Sequence, residues 1–127
     1  MTDTGPFLGS PIDTVPPGRL VIMLLEGSLA AIDRAVVALN EDHGGVEIAH
    51  RELSRAQDIV RELQLSLDHE AGGQIAQSLD ALYCFCLEGL VRANVAKDPH
   101  PLASVSHILN ELLDCWGQAV ATLPAGV

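Results

Sequence analysis

The sequence predicts an all-α protein: an antiparallel up-down-up-down four-helix bundle that follows an extended N-terminal tail. Three observations predict this fold. Four segments repeat apolar side chains at alternating spacings of three and four residues, the period of one helix face. Short breaks containing glycine or proline separate the segments, which makes sequential helices antiparallel. Hydrophobic residues make up 48% of the 127 residues, enough for the core of one domain.

The first 16 residues are expected to form a flexible tail, and residues 17–127 the bundle. Glycines and prolines recur in the tail and interrupt any regular element. Phe7, Leu8, Ile12 and Val15 nevertheless give it apolar side chains with which to dock on the bundle.

The first two helices are predicted at about residues 17–40 and 46–67. The stripe of the first comprises Val21, Leu25, Ser28, Ile32, Ala35 and Leu39. The stripe of the second comprises Ala49, Leu53, Ala56, Val60, Leu63 and Leu67. The pair Gly72 and Gly73 is expected to form the corner that follows, because glycine accepts the positive φ angles found after a helix.

The last two helices are predicted at about residues 74–96 and 102–123, with Asp98 and Pro99 separating them. The stripe of the third comprises Ile75, Leu79, Leu82, Cys86, Gly89 and Ala93. The stripe of the fourth comprises Leu102, Val105, Leu109, Leu112, Trp116 and Ala119.

Several helices also carry apolar residues away from these stripes. They are Leu20, Ile22, Met23, Leu24, Leu29 and Val36 on the first helix, Tyr83, Leu87 and Leu90 on the third, and Ile108, Leu113 and Val120 on the fourth. Two interpretations stay open: the residues widen the core, or they form an exposed apolar groove, which usually marks an interaction site.

The charge of the chain excludes some partners. Seventeen acidic and seven basic residues give a formal net charge of −10. Nucleic acids and anionic membrane surfaces both require a basic face, so neither is an expected partner. No apolar run approaches the roughly 18 residues needed to span a membrane, so no membrane-spanning helix is expected. A strongly acidic protein stays soluble, which suits a carrier of apolar cargo.

No motif for catalysis, a cofactor or a metal ion emerges, and the chain is not expected to be an enzyme. Cys84 and Cys86 lie two apart on a helix, so they point to different sides, and no CxxC pair exists. Glu47 and His50 form a single ExxH, whereas di-iron bundles use two. A histidine phosphotransfer domain on His50 or His107 is an alternative function for such a bundle. A generic helical adaptor is another.

The cellular setting is expected to be the cytoplasm. The opening sequence, MTDTGPFLGS, lacks the basic and apolar regions of a signal peptide. The three cysteines are an odd number, in keeping with a reducing compartment.

The chain as a whole resembles the flagellar secretion chaperone FliS family, from about Phe7 to Val120. The resemblance rests on motifs in a set order: TVPPGRLVIMLLEG from Thr14, AQDIVREL from Ala56, LDHEAGGQIAQSLDALY from Leu67, LVRAN from Leu90, and Trp116 in the last helix. Two positions depart from the family pattern. Phe7 replaces a tyrosine, and Pro16 replaces a serine whose oxygen would cap the first helix.

The resemblance implies a function and a set of contact residues. It implies a cytoplasmic export chaperone that binds the disordered C-terminal segment of flagellin, prevents premature polymerisation and delivers it to the flagellar type III export gate. The tail is expected to dock on the bundle and to yield to flagellin. An apolar groove would also favour self-association, so a homodimer stays open. The predicted partner-binding residues are Phe7, Ile12, Leu20, Met23, Leu24, Tyr83, Leu87, Leu90 and Asn94.

Overall fold

The computed structural model describes residues 17–41 and 43–121. This part of the chain folds into four α-helices and contains no strand. The helices are α1 (Pro17–Leu39), α2 (Gly45–Leu65), α3 (His69–Ala96) and α4 (Leu102–Ala121). None of them is both long and apolar enough to cross a membrane.

The four helices close into a bundle in which each helix packs against two others. Helix α1 packs against α2 and α4, and α3 packs against the same two helices from the opposite side. The short connections between sequential helices make these neighbours antiparallel. The predicted fold class, an all-α four-helix bundle, is confirmed.

Aliphatic side chains build most of the core, as the scarcity of aromatic residues predicts. The largest fully buried side chains are Leu25, Ile32, Leu53, Leu63, Tyr83, Leu90, Leu102 and Leu109. One polar core residue, Ser28, is satisfied locally because its hydroxyl donates to the Leu25 carbonyl at 2.9 Å. The stripes predicted for α1, α2 and α4 supply most of these residues, so those three helices turn the expected faces inward.

A partly buried ion pair joins α1 to α2. The Glu52 carboxylate is buried and accepts a hydrogen bond from the Arg34 guanidinium at 3.0 Å. Arg51 lies 3.8 Å from the other carboxylate oxygen. Because the carboxylate faces two cations, its burial leaves no uncompensated charge.

The corner between α1 and α2 depends on close backbone contact. A Cβ atom on Gly45 would lie 1.8 Å from the Ala38 carbonyl oxygen, far inside van der Waals contact. Glycine at this position lets the first turn of α2 lie directly against the last turn of α1.

The corner between α2 and α3 lies earlier than the sequence predicts. Helix α2 ends at Leu65, and Asp68 caps α3 by accepting hydrogen bonds from the amides of Glu70 and Ala71 at 3.1 and 3.0 Å. The predicted break at Gly72 and Gly73 is present as well, because Gly73 leaves helical geometry with φ 52° and ψ −124° and kinks α3 after its first turn. An aspartate cap fixes the helix start more strongly than a later glycine can, because it satisfies two free amides.

The face that α3 buries matches the predicted stripe in the second half of the helix, where Cys86, Gly89 and Ala93 are buried, and differs from it in the first half. Ile75 is 73% exposed and Leu82 is 36% exposed, although both were expected in the core. Ala76 and Tyr83, each one residue further along, are buried instead, whereas Leu90 is buried together with its predicted neighbour Gly89. Helix α3 has apolar residues at adjacent positions, and in its first half the packing against α2 and α4 buries the position after the predicted one.

Candidate partner-binding groove

An apolar groove opens at the end of the bundle where α1 begins and α4 ends. Its volume is about 540 Å³. We call it the Trp116 groove. It is lined by Gly18, Leu20, Val21 and Leu24 of α1, by Ser66, Leu67 and Asp68 of the corner, by Ala71, Gly72, Ile75, Ala76, Leu79 and Tyr83 of α3, and by Trp116 of α4. Two smaller clefts lie elsewhere on the described surface, at about 340 and 360 Å³.

The groove lies away from a close contact between α3 and α4 near the other end of the bundle. There Gly89 lies against Val105, so close that a Cβ on Gly89 would be 2.6 Å from a Val105 methyl group. Along α4 from that contact, burial declines from Leu109, which is fully buried, to Trp116, which is partly exposed. The turn of α3 before the Gly73 kink then forms part of the opposite wall.

The surface of the groove is almost entirely apolar, and most of its polar groups are already engaged. The Asp68 carboxylate accepts the two amides at the start of α3. The Ser66 hydroxyl donates to the Leu63 carbonyl at 2.7 Å. Apolar surface of this kind favours a ligand with apolar side chains, since burying them removes area from water on both partners.

Three of the predicted binding residues line this groove. Leu20 and Leu24 contribute partly buried side chains from α1. Tyr83 contributes from α3 but is only 2% exposed, so it belongs to the core as well. Met23 is 53% exposed on α1 and does not line the groove.

The structure does not bring the other predicted residues of α3 to this groove. Leu90 is fully buried in the core and therefore does not line an exposed groove. Leu87 is partly buried beside a separate small cleft that Glu88, Val91 and Arg92 also line. Phe7 and Ile12 lie outside the described residues.

Asn94 has structural contacts that the sequence did not indicate. Its side-chain oxygen lies 3.3 Å from His50 Nδ1, which joins α3 to α2. The Lys97 ammonium donates to the same oxygen and to the Asn94 carbonyl. Lys97 itself ends α3 with φ 52°, so this cluster closes the C-terminal end of the helix.

Several groove residues were assigned by sequence to the core stripe. Val21, Leu67, Ile75 and Trp116 were predicted to be buried, yet each lines the groove. The tryptophan offered a signal, because an amphipathic ring late in the last helix is typical of a partly exposed contact site. Periodicity alone does not separate the wall of a groove from the edge of a core.

The residues considered for other chemistry are dispersed. His50 is exposed and lies against Asn94, while His107 is exposed 3.5 Å from Glu111. Cys84 and Cys115 are exposed and Cys86 is buried, where burial raises the pKa of its thiol to about 11. Within residues 17–41 and 43–121, no three histidine, cysteine or acidic side chains gather as a metal site would require.

Comparison of the chain with known proteins identifies its family. The family model for the flagellar protein FliS matches residues 8–123. The chain belongs to the FliS family. Flagellar secretion chaperones FliS of Vibrio cholerae, Bacillus subtilis and Salmonella typhimurium are similar to it at 31%, 32% and 32% identity. Each alignment covers 86% of this chain and 79%, 79% and 80% of those relatives, respectively.

Membership of the FliS family decides the broad class of function. The relatives are secretion chaperones of the flagellum, and FliS is a chaperone family rather than an enzyme family. A flagellar export chaperone handles a protein client, so the Trp116 groove is a candidate for the surface that receives it.

Proposed function

We propose that this protein is a cytoplasmic chaperone for flagellin. In this proposal it binds the disordered C-terminal segment of flagellin, prevents its premature polymerisation and delivers it to the flagellar type III export apparatus. Family membership supports the chaperone role. The observation that carries the choice of binding surface is the Trp116 groove, an apolar groove of about 540 Å³ on an otherwise acidic protein.

The physical basis is folding coupled to binding. A disordered segment with apolar residues at helical spacing lays its apolar face into a groove and becomes ordered there. Leu20 and Leu24 line the groove from α1, and Ile75 lines it from α3. Trp116 lines it from α4. The net charge of −10 keeps a carrier with such a surface soluble between clients.

The N-terminal tail has a place in this proposal. The described chain starts at Pro17, directly before Gly18 and close to Leu20, both of which line the groove. The tail, with Phe7 and Ile12, is therefore proposed to dock on the bundle when no client is bound and to leave when flagellin arrives. Deleting residues 2–15 is expected to raise the affinity for flagellin several-fold. An unchanged affinity, together with unchanged hydrogen exchange at the groove, would contradict this role.

Titration calorimetry tests the proposal, with the full chain and the C-terminal segment of flagellin from the same organism. Binding at a one-to-one ratio with a negative heat-capacity change is expected, since apolar surface is buried. The chain has a single tryptophan. Its fluorescence should shift on binding because Trp116 lines the groove.

Two matched variants locate the binding surface on α3. Ile75→Glu places a charge on the wall of the groove, at a residue that is 73% exposed and therefore unimportant for folding. Val95→Glu places the same charge near the other end of α3, at a residue that is 81% exposed. We expect Ile75→Glu to weaken binding at least tenfold and Val95→Glu to leave it unchanged. Equal effects of the two variants would exclude the groove as the binding surface.

A third variant tests the prediction for Leu87. Leu87→Glu unfolds the protein if this side chain serves the core, against which it packs. A folded variant that no longer binds flagellin would extend the binding surface from the groove to the small cleft beside Glu88. Circular dichroism and the same calorimetry separate these results.

A further inference from the structure

Tyr83, one of the residues that line the Trp116 groove, carries a buried hydroxyl without a partner among the described residues. Tyr83 is 2% exposed, and none of the hydrogen bonds within residues 17–41 and 43–121 reaches its hydroxyl. Ser28, the other buried hydroxyl residue, donates to a backbone carbonyl. Buried hydroxyl groups in folded proteins are rarely left unpaired, because desolvation without a hydrogen bond is unfavourable.

Most of the groove lining offers the Tyr83 hydroxyl no acceptor. Leu24, Leu79 and Ala76 line the same groove, and their side chains accept no hydrogen bond. Asp68 and Ser66 also line it, but their hydrogen bonds are made at the α2–α3 corner and not to Tyr83. Burial raises the pKa of the Tyr83 phenol, with a smaller contribution from Cys86, so the phenol stays protonated and remains a donor.

We propose that the Tyr83 hydroxyl donates a hydrogen bond to the client segment and thereby selects how that segment lies in the groove. This inference rests on the proposed function. The groove then takes a segment with apolar side chains on two sides and one acceptor between them, which a backbone carbonyl at a break in a helix supplies. An uninterrupted apolar helix uses its carbonyls internally and leaves Tyr83 unpaired, so the groove discriminates against it.

A hydrogen bond that forms only in the complex contributes to binding of the segment but not to the stability of the free protein. Removing an unpaired buried hydroxyl leaves the free protein unharmed, whereas removing a paired one destabilises it. Tyr83→Phe is therefore expected to leave the denaturant midpoint of the free chain unchanged or higher. The same substitution is expected to weaken binding of the flagellin segment by about three- to tenfold.

Ser28→Ala is the matched control, because it also removes one buried hydroxyl from the bundle. Its hydroxyl is satisfied at 2.9 Å within α1 and does not line the groove. Ser28→Ala should lower the stability of the free chain and leave affinity for the segment unchanged. The two variants are thus expected to behave in opposite ways.

A spectroscopic measurement gives an independent test. The chain contains one tyrosine, so ¹³C labelling at tyrosine Cζ gives a single resonance from the full-length protein. That resonance should move on addition of unlabelled flagellin segment, in the direction expected for a phenol that gains an acceptor.

The outcomes separate this inference from the proposed function. Failure of the unmodified chain to bind the segment overturns the proposed function. Normal binding by the unmodified chain with equal affinity for Tyr83→Phe overturns only the role of the hydroxyl. A loss of stability in free Tyr83→Phe shows that the chain or an internal water already pairs the hydroxyl, and it also overturns the inference.

Discussion

Gly89 lies at a close contact between α3 and α4, and its replacement by alanine tests the packing of these two helices. An added Cβ would lie 2.6 Å from Val105 Cγ2, whereas carbon atoms in contact are about 3.5–4.0 Å apart. Val105 is fully buried and β-branched, so it cannot turn aside easily. One helix must therefore shift by about 1 Å.

The expected magnitude follows from two opposing effects. Alanine in a helix interior is favoured over glycine by about 1 kcal/mol. Overpacking a core costs about 1–3 kcal/mol. Gly89→Ala should therefore lower the free energy of unfolding by about 1 kcal/mol. Gly117→Ala, on α4 with nothing within 4 Å of the added atom, should raise it by about 0.5–1 kcal/mol.

Urea unfolding of a double-mutant cycle isolates the contact. Val105→Ala removes the methyl group that the new Cβ would meet. In that background Gly89→Ala should become stabilising, with a coupling free energy of about 2 kcal/mol between the two sites. If Gly89→Ala stabilises the unmodified chain as much as Gly117→Ala does, the close approach of α3 and α4 is refuted.

Three further predictions concern buried polar groups. Glu52→Gln should lower the free energy of unfolding by about 1–2 kcal/mol, because its buried carboxylate accepts from Arg34. Asp58 forms an exposed pair with Arg61 at 3.7 Å, so Asp58→Asn should change the free energy of unfolding by less than about 0.5 kcal/mol. Similar urea midpoints for Glu52→Gln and Asp58→Asn would contradict the stabilising role of the buried pair. At pH 8 a thiol reagent should label the two exposed cysteines of the folded chain and reach Cys86 only after unfolding, since burial raises the pKa of that thiol from 9.0 to about 11. The raised pKa belongs to the folded state, so the stability contributed by the neutral Cys86 thiol is fully present below about pH 9 and is lost between pH 9 and 11. This decline in the free energy of unfolding should be absent in Cys86→Ala.

The sequence by itself determined the helices and the family. The apolar stripes predicted α1, α2 and α4 with the correct inward face, since the fully buried side chains of these helices, such as Leu25, Leu53 and Leu109, belong to the predicted stripes. Helix breakers such as Asp98 and Pro99 act within a few residues, so the ends of helices near them can be recognised locally. The ordered motifs around Gly27, Tyr83 and Trp116 carried the resemblance that the family match bears out.

Only the tertiary structure decided the orientation of α3 and the position of the groove. The first half of helix α3 has apolar residues at adjacent positions, so the helical period is satisfied with either Ile75 or Ala76 inside, whereas Cys86 and Ala93 in the second half are buried as predicted. The approach of α2 and α4 makes the choice, which buries Tyr83 and leaves Ile75 on the surface. The physical reason is that the period of a helix is a local property, whereas burial depends on where neighbouring helices lie. The groove arises from this non-local geometry, because α3 and α4 meet at Gly89 and leave Trp116 accessible.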